Sequence, residues 1–88
     1  MRSATYNDFG KPAEVLSLND RPTPEPGTNE VRIKTILSPI HNHDLITIQG
    51  NYGNKPELPA IGGSEAVGTI DALGQDVDSL KVGQRVVV

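Results

Sequence analysis

The sequence predicts a mostly-β domain, a barrel or sandwich of short strands that carries one short helix. Three observations lead there. Short runs rich in Val, Ile, Leu and Thr recur along the chain, each bounded by Gly, Pro, Asn or Asp, the punctuation of an all-β domain. One stretch alone, Asn42 to Gln49, has helix signals. And the 88 residues include only three aromatics, Tyr6, Phe9 and Tyr52, so the core is expected to be built from Val, Ile, Leu and Ala.

The elements follow in order. Ala4 to Phe9 is expected to form a first strand, and Gly10-Lys11-Pro12 a turn. Val15 to Leu18 alternates apolar and polar residues and reads as the second strand of a hairpin-like start. Asp20 to Thr28 holds three prolines and a glycine. Proline lacks the backbone donor and fixes φ, so this segment is an extended connection ending in a Pro26-Gly27 turn. Glu30 to Leu37 is the clearest strand. Val31, Ile33 and Thr35 fall on an inward face; Arg32, Lys34 and Ile36 fall on an outward one. In the helix candidate Asn42 is a good N-cap, Asp44 stands in the first turn where the helix dipole favours a carboxylate, and Gly50 stops the helix. Asn51 to Ala60 is loop. Glu65 to Leu73 is a strand whose interior Gly68 marks a bulge or the close approach of another backbone. Gly74-Gln75-Asp76 turns the chain, and Arg85 to Val88 is a last strand. A run of three valines ends the sequence; donors and side chains there need partners, so the chain is expected to be a piece of a longer protein continuing C-terminally.

Composition excludes several functions. The net charge is −3 and the lysines and arginines are scattered, which leaves no electrostatic footprint for nucleic acid and no basic face for a membrane. No apolar run approaches the ~20 residues of a membrane span, and the N-terminus lacks the layout of a secretory signal. With no cysteine, disulfides and thiolate metal sites are absent together. A cytoplasmic location is expected.

Functional residues concentrate between Ser38 and Gly68, which holds both histidines and one of the two tyrosines. His41, His43 and Asp44 bring two imidazoles and a carboxylate into four residues. Neighbours at i and i+2 do not share a helix face, so no metal site is expected, and caps or solvent contacts are. From its neighbourhood alone Tyr52 reads as a packing residue at a helix–loop corner. Glu65 reads either as a buried structural carboxylate or as a group that orients a cleft. Gly62, Gly63 and Gly68 read as backbone geometry.

Longer motifs cover essentially the whole chain. They are Phe9-Gly10-x-Pro12, then Pro22-x-Pro24-x-Pro26-Gly27-x-x-Glu30-Val31-x-Ile33-Lys34, then Pro39-Ile40-x-x-x-Asp44-Leu45-x-x-Ile48-Gln49-Gly50-x-Tyr52. Leu58-Pro59-x-x-Gly62-Gly63-x-Glu65-x-Val67-Gly68 and Val82-Gly83-x-Arg85-Val86 complete them. This pattern resembles the medium-chain dehydrogenase/reductase superfamily. The resemblance implies a GroES-like, partly open β-barrel catalytic domain spanning residues 1–88, normally followed by a dinucleotide-binding Rossmann domain. No G-x-G-x-x-G occurs in this chain.

Zinc alcohol dehydrogenases carry Cys where this chain has His41, and Gly-His-Glu where it reads Gly63-Ser64-Glu65. A catalytic zinc needs three protein ligands and an open position, so the resemblance points to the zinc-free branches. The trans-2-enoyl thioester reductases come first and the quinone oxidoreductases next, both using NADPH. It implies that Tyr52 supplies a proton or hydrogen bond to the thioester oxygen while NADPH delivers hydride to the β-carbon. His41, Asp44 and Glu65 are implied to line the substrate and cofactor cleft. At His41 these branches usually carry Asn, at Asn42 Pro, and at Gln84 Asp. The implied partner is a small electrophilic alkene or thioester, and the full-length form is expected to be a homo-oligomer.

Overall fold

The computed structural model describes residues 1–88. The elements are β1 (Arg2–Tyr6), α1 (Pro12–Val15), β2 (Ser17–Asp20), β3 (Val31–Leu37), α2 (Asn42–Gln49), β4 (Ala60–Ile61), β5 (Val67–Leu73) and β6 (Arg85–Val87). They fall into two compact units, Met1–Pro22 with Ile40–Ser64, and Thr23–Pro39 with Glu65–Val88. No helix is long and apolar enough to cross a membrane.

The first unit holds an open antiparallel sheet in the order β2-β1-β4. β1 alternates exposed and buried residues from Arg2 to Thr5, and at its end both Thr5 and Tyr6, on opposite faces, are buried. Tyr6, Ile48 and Ala60 form the core, with Phe9, Val15 and Leu16 packed against them. Tyr6 is only 2% exposed, so an aromatic residue joins the aliphatic core that composition predicts, and burial pushes its phenol above the usual range.

Several readings of this unit are corrected, beginning with the first strand, which runs Arg2–Tyr6 rather than Ala4–Phe9. Pro12–Val15 is a one-turn helix, so α2 is not the only one. Proline at the first helical position supplies the right φ and loses no hydrogen bond there, but four residues are too few to display a period. Ser17–Asp20 rather than Val15–Leu18 forms the second strand, because Val15 and Leu16 are drawn into the core. Ala60 and Ile61, at and beyond the end of the expected loop, pair with Tyr6 and Thr5.

α2 spans the expected residues, but its N-cap is His41 rather than Asn42. A cap and a carboxylate three residues later satisfy one another. Asp44 stands three after His41 and accepts its N–H at 2.9 Å, whereas three after Asn42 stands Leu45, which accepts nothing. The helix ends at Gly50 in the left-handed conformation, φ 82°. The Gly50 N–H donates to the Thr47 carbonyl at 3.0 Å and the Asn51 N–H to the Ile46 carbonyl at 3.1 Å, closing the last turn. A Cβ at Gly50 would also stand 3.0 Å from Phe9.

The second unit is an antiparallel sheet in the order β3-β5-β6, built on Ile70, which is 1% exposed. At Gly68 a Cβ would collide with the Lys34 carbonyl and come within 2.6 Å of Ile33 Cγ2, so the interior glycine does mark a close backbone approach. The inward–outward alternation expected along β3 is not observed. Val31, Arg32 and Ile33 are all half-buried and Lys34 to Leu37 all exposed. Register shifts between Arg32 and Ile33 and between Thr35 and Leu37 re-aim the side chains. Arg32 is covered because it pairs with Asp71 at 2.8 Å and with Glu25 at 3.5 Å. β5 begins at Val67, two residues later than expected.

Candidate active site

The start of α2 faces the turn that follows β4, and the two together build a polar network. The Asp44 side chain is buried, 7% exposed. Its Oδ2 accepts the His41 N–H, and its Oδ1 accepts the Ser64 hydroxyl at 2.8 Å. The His41 amide first, then the Ser64 hydroxyl and the nearby imidazoles, hold the Asp44 carboxyl below the usual carboxylate range against the opposing effect of burial. Asp44 is therefore an anion at neutral pH and can only accept.

Nε2 of His43 lies 2.9 Å from the same Ser64 Oγ, and 3.6 Å from Asp44 Oδ1. Thr47 Oγ1 donates to the His43 carbonyl at 2.7 Å. The His43 ring stacks on His41, with centroids 5.0 Å apart and planes 14° from parallel, and meets Tyr52 at 5.9 Å and 35°. Tyr52 is 46% exposed.

His43, Asp44, Tyr52 and Ser64 line a cavity of about 410 Å³, whose apolar wall includes Tyr6, Ile48 and Ile61. A half-exposed phenol, an imidazole and an exposed hydroxyl beside an apolar wall suit a small ligand with a polar head and an apolar tail. The serine, histidine and aspartate are not wired as a hydrolase triad. There the imidazole takes the serine's proton and the carboxylate orients the imidazole; here the serine hydroxyl keeps its proton and donates a hydrogen bond to the carboxylate directly. No group of three His, Cys, Asp or Glu side chains is arranged to hold a metal ion.

Of the residues singled out from sequence, Tyr52 and Asp44 share this cavity. His41 does not line it; its ring stacks on His43 and its amide caps α2. Glu65 lies in the second unit, exposed, beside a different cavity of about 380 Å³ lined by Leu37, Val67 and Val87. The Glu65 backbone carbonyl accepts the Ser38 hydroxyl at 2.7 Å. Sequence reasoning missed the partnership of His43 with Ser64. The 20 residues between them carry no spacing that signals contact; only the Gly62-Gly63 turn ahead of Ser64 hinted at a built corner.

The family described as alcohol dehydrogenase GroES-like domain matches residues 27–88. The chain belongs to that family. A mitochondrial enoyl-[acyl-carrier-protein] reductase of Xenopus tropicalis is 40% identical over 86 residues, covering 98% of this chain and 25% of the relative. A native structure of a mycobacterial quinone oxidoreductase superposes with a TM-score of 0.87 at 35% identity, covering 99% of this chain and 27% of that one. A mycobacterial protein solved with NADPH gives 0.88 at 35% identity, covering 99% and 27%. The chain thus spans about a quarter of the length of the relatives it matches. The GroES-like fold and membership of the medium-chain dehydrogenase/reductase superfamily, expected from the motifs, are found.

Proposed function

We propose that this chain is the substrate-side catalytic domain of an NADPH-dependent, zinc-free reductase that reduces the C=C bond of 2-enoyl thioesters, working with a dinucleotide-binding domain. The observation that carries the proposal is Tyr52 at the rim of a mixed apolar and polar cavity, in a chain 40% identical to an enoyl reductase. The cavity has room for a nicotinamide ring or the head of a substrate. The chain carries no glycine-rich phosphate cradle, so the rest of the dinucleotide is assigned to the other domain.

Reduced nicotinamide supplies the hydride. As the β-carbon gains it, negative charge gathers on the thioester oxygen, and a phenol within hydrogen-bond reach stabilises that charge and passes on a proton. Tyr52 is given this role, and Tyr6, Ile48 and Ile61 exclude water from the acyl chain. Two observations support the zinc-free assignment: Ser64, at the position of a family zinc ligand, is engaged by Asp44 and His43, and no cysteine is present.

In the full-length protein Tyr52→Phe is expected to lower kcat on a crotonyl thioester by on the order of a hundredfold, with NADPH affinity kept. Unchanged turnover overturns the role. The similarity to a quinone oxidoreductase supports a second reading, in which the same cavity takes a quinone. Comparing turnover on the thioester and on a quinone decides between them.

A further inference from the structure

We infer that Ser64 is a positioning residue. Anchored by Asp44, it holds the His43 ring against Tyr52 with Nε2 protonated, leaving Nδ1 as the ring's remaining acceptor. The inference rests on the proposed role of Tyr52 only for its kinetic consequence.

The argument is a proton count. A serine hydroxyl carries one proton. Ser64 Oγ touches two groups, Asp44 Oδ1 at 2.8 Å and His43 Nε2 at 2.9 Å. Asp44 gives no proton to either neighbour: it is ionised and acceptor-only, with Oδ2 accepting the His41 amide and Oδ1 facing Ser64. The hydroxyl proton therefore goes to Asp44, and the contact with His43 is a hydrogen bond only if Nε2 carries a proton and donates it. The line reads Nε2–H of His43 to Ser64, Ser64 O–H to Asp44, with the backbone of His41 closing the far end. Its direction is set by the buried anion.

The line also settles the ring in space. Ser64 holds one edge of the imidazole, Thr47 bonds the His43 carbonyl, His41 stacks on the ring, and Tyr52 meets it at 5.9 Å, inside the range at which aromatic pairs attract. Tyr52 has no hydrogen bond of its own to hold it at the end of α2. The His43 ring is the aromatic surface against which it rests, and Ser64 keeps that surface still.

Two measurements in the full-length protein test this. The first reads ring-nitrogen shifts by NMR after ¹⁵N-histidine labelling, with His43 assigned by loss of its signals in His43→Gln. The expected neutral form is the Nε2–H tautomer. Asp44→Asn should reverse the line: the introduced amide donates to Ser64, whose proton then turns to Nε2, and His43 shifts to the Nδ1–H tautomer. A wild-type ring mainly in the Nδ1–H form, or no change in Asp44→Asn while helix content is kept, overturns the wiring.

The second measurement is kinetic. Ser64→Ala should lower kcat by about ten- to a hundredfold, the scale of a misplaced reacting group, with KM changed less than about twofold. Ser64→Thr, which keeps the hydroxyl, should recover most of the loss. Equal losses in Ala and Thr variants, or no loss in either, overturn the positioning role. The tautomer readout needs no turnover, so it stands or falls apart from the enoyl-reductase reading.

Discussion

Replacing Asp44 by alanine tests the polar network where it carries most. The side chain accepts two hydrogen bonds, from the His41 amide at 2.9 Å and from Ser64 at 2.8 Å, and stands in the first turn of α2. Hydrogen bonds to a charged group contribute roughly 1.5–3 kcal/mol each, and a carboxylate at a helix start adds about 0.3–1 kcal/mol. Against this stand the burial of the charge and the ease with which water reaches the exposed Ser64 once its acceptor is gone. The net loss is about 2–4 kcal/mol. For a domain of this size each kcal/mol moves Tm by roughly 4–8 °C, so Asp44→Ala should melt about 10–25 °C lower at pH 7.

The sign with pH follows from the direction of the shift. The folded carboxyl titrates below its ordinary value of 3.8. Its stabilisation is therefore complete above that value and is lost as the pH falls through the lower folded value. Thermal unfolding of the two proteins followed by circular dichroism should show a wide gap at neutral pH that narrows in strong acid. A Tm difference under about 4 °C at pH 7, or a gap that widens on acidification, refutes the reasoning.

Two further substitutions probe the second unit. Gly68→Ala places a methyl against the Lys34 carbonyl and Ile33, and should cost about 2–4 kcal/mol by prising β3 from β5; a denaturant midpoint unchanged from wild type counts against it. Ile70→Ala empties the most buried apolar site, 1% exposed, and should cost about 2–5 kcal/mol in the same titration.

Local signals determined a good part of this protein from sequence alone. Proline and glycine punctuation set the strand boundaries to within a few residues, because those residues restrict φ or lack a donor wherever they stand. Asp44 and Gly50 framed α2 because caps act within one helical turn. The long motifs identified the superfamily. Tertiary structure decided what depends on distant partners. Pro12–Val15 became a helix because Val15 and Leu16 had a core to join. The face of β3 was set by register shifts against β5 rather than by its own alternation. Glu65, one residue from Ser64 in sequence, came to line a different cavity from it. The direction of the His43–Ser64–Asp44 line arose only when the chain brought a single hydroxyl between an imidazole and a buried carboxylate. Spacing along a chain does not encode that meeting, because the proton's allegiance depends on which acceptor is charged and within reach.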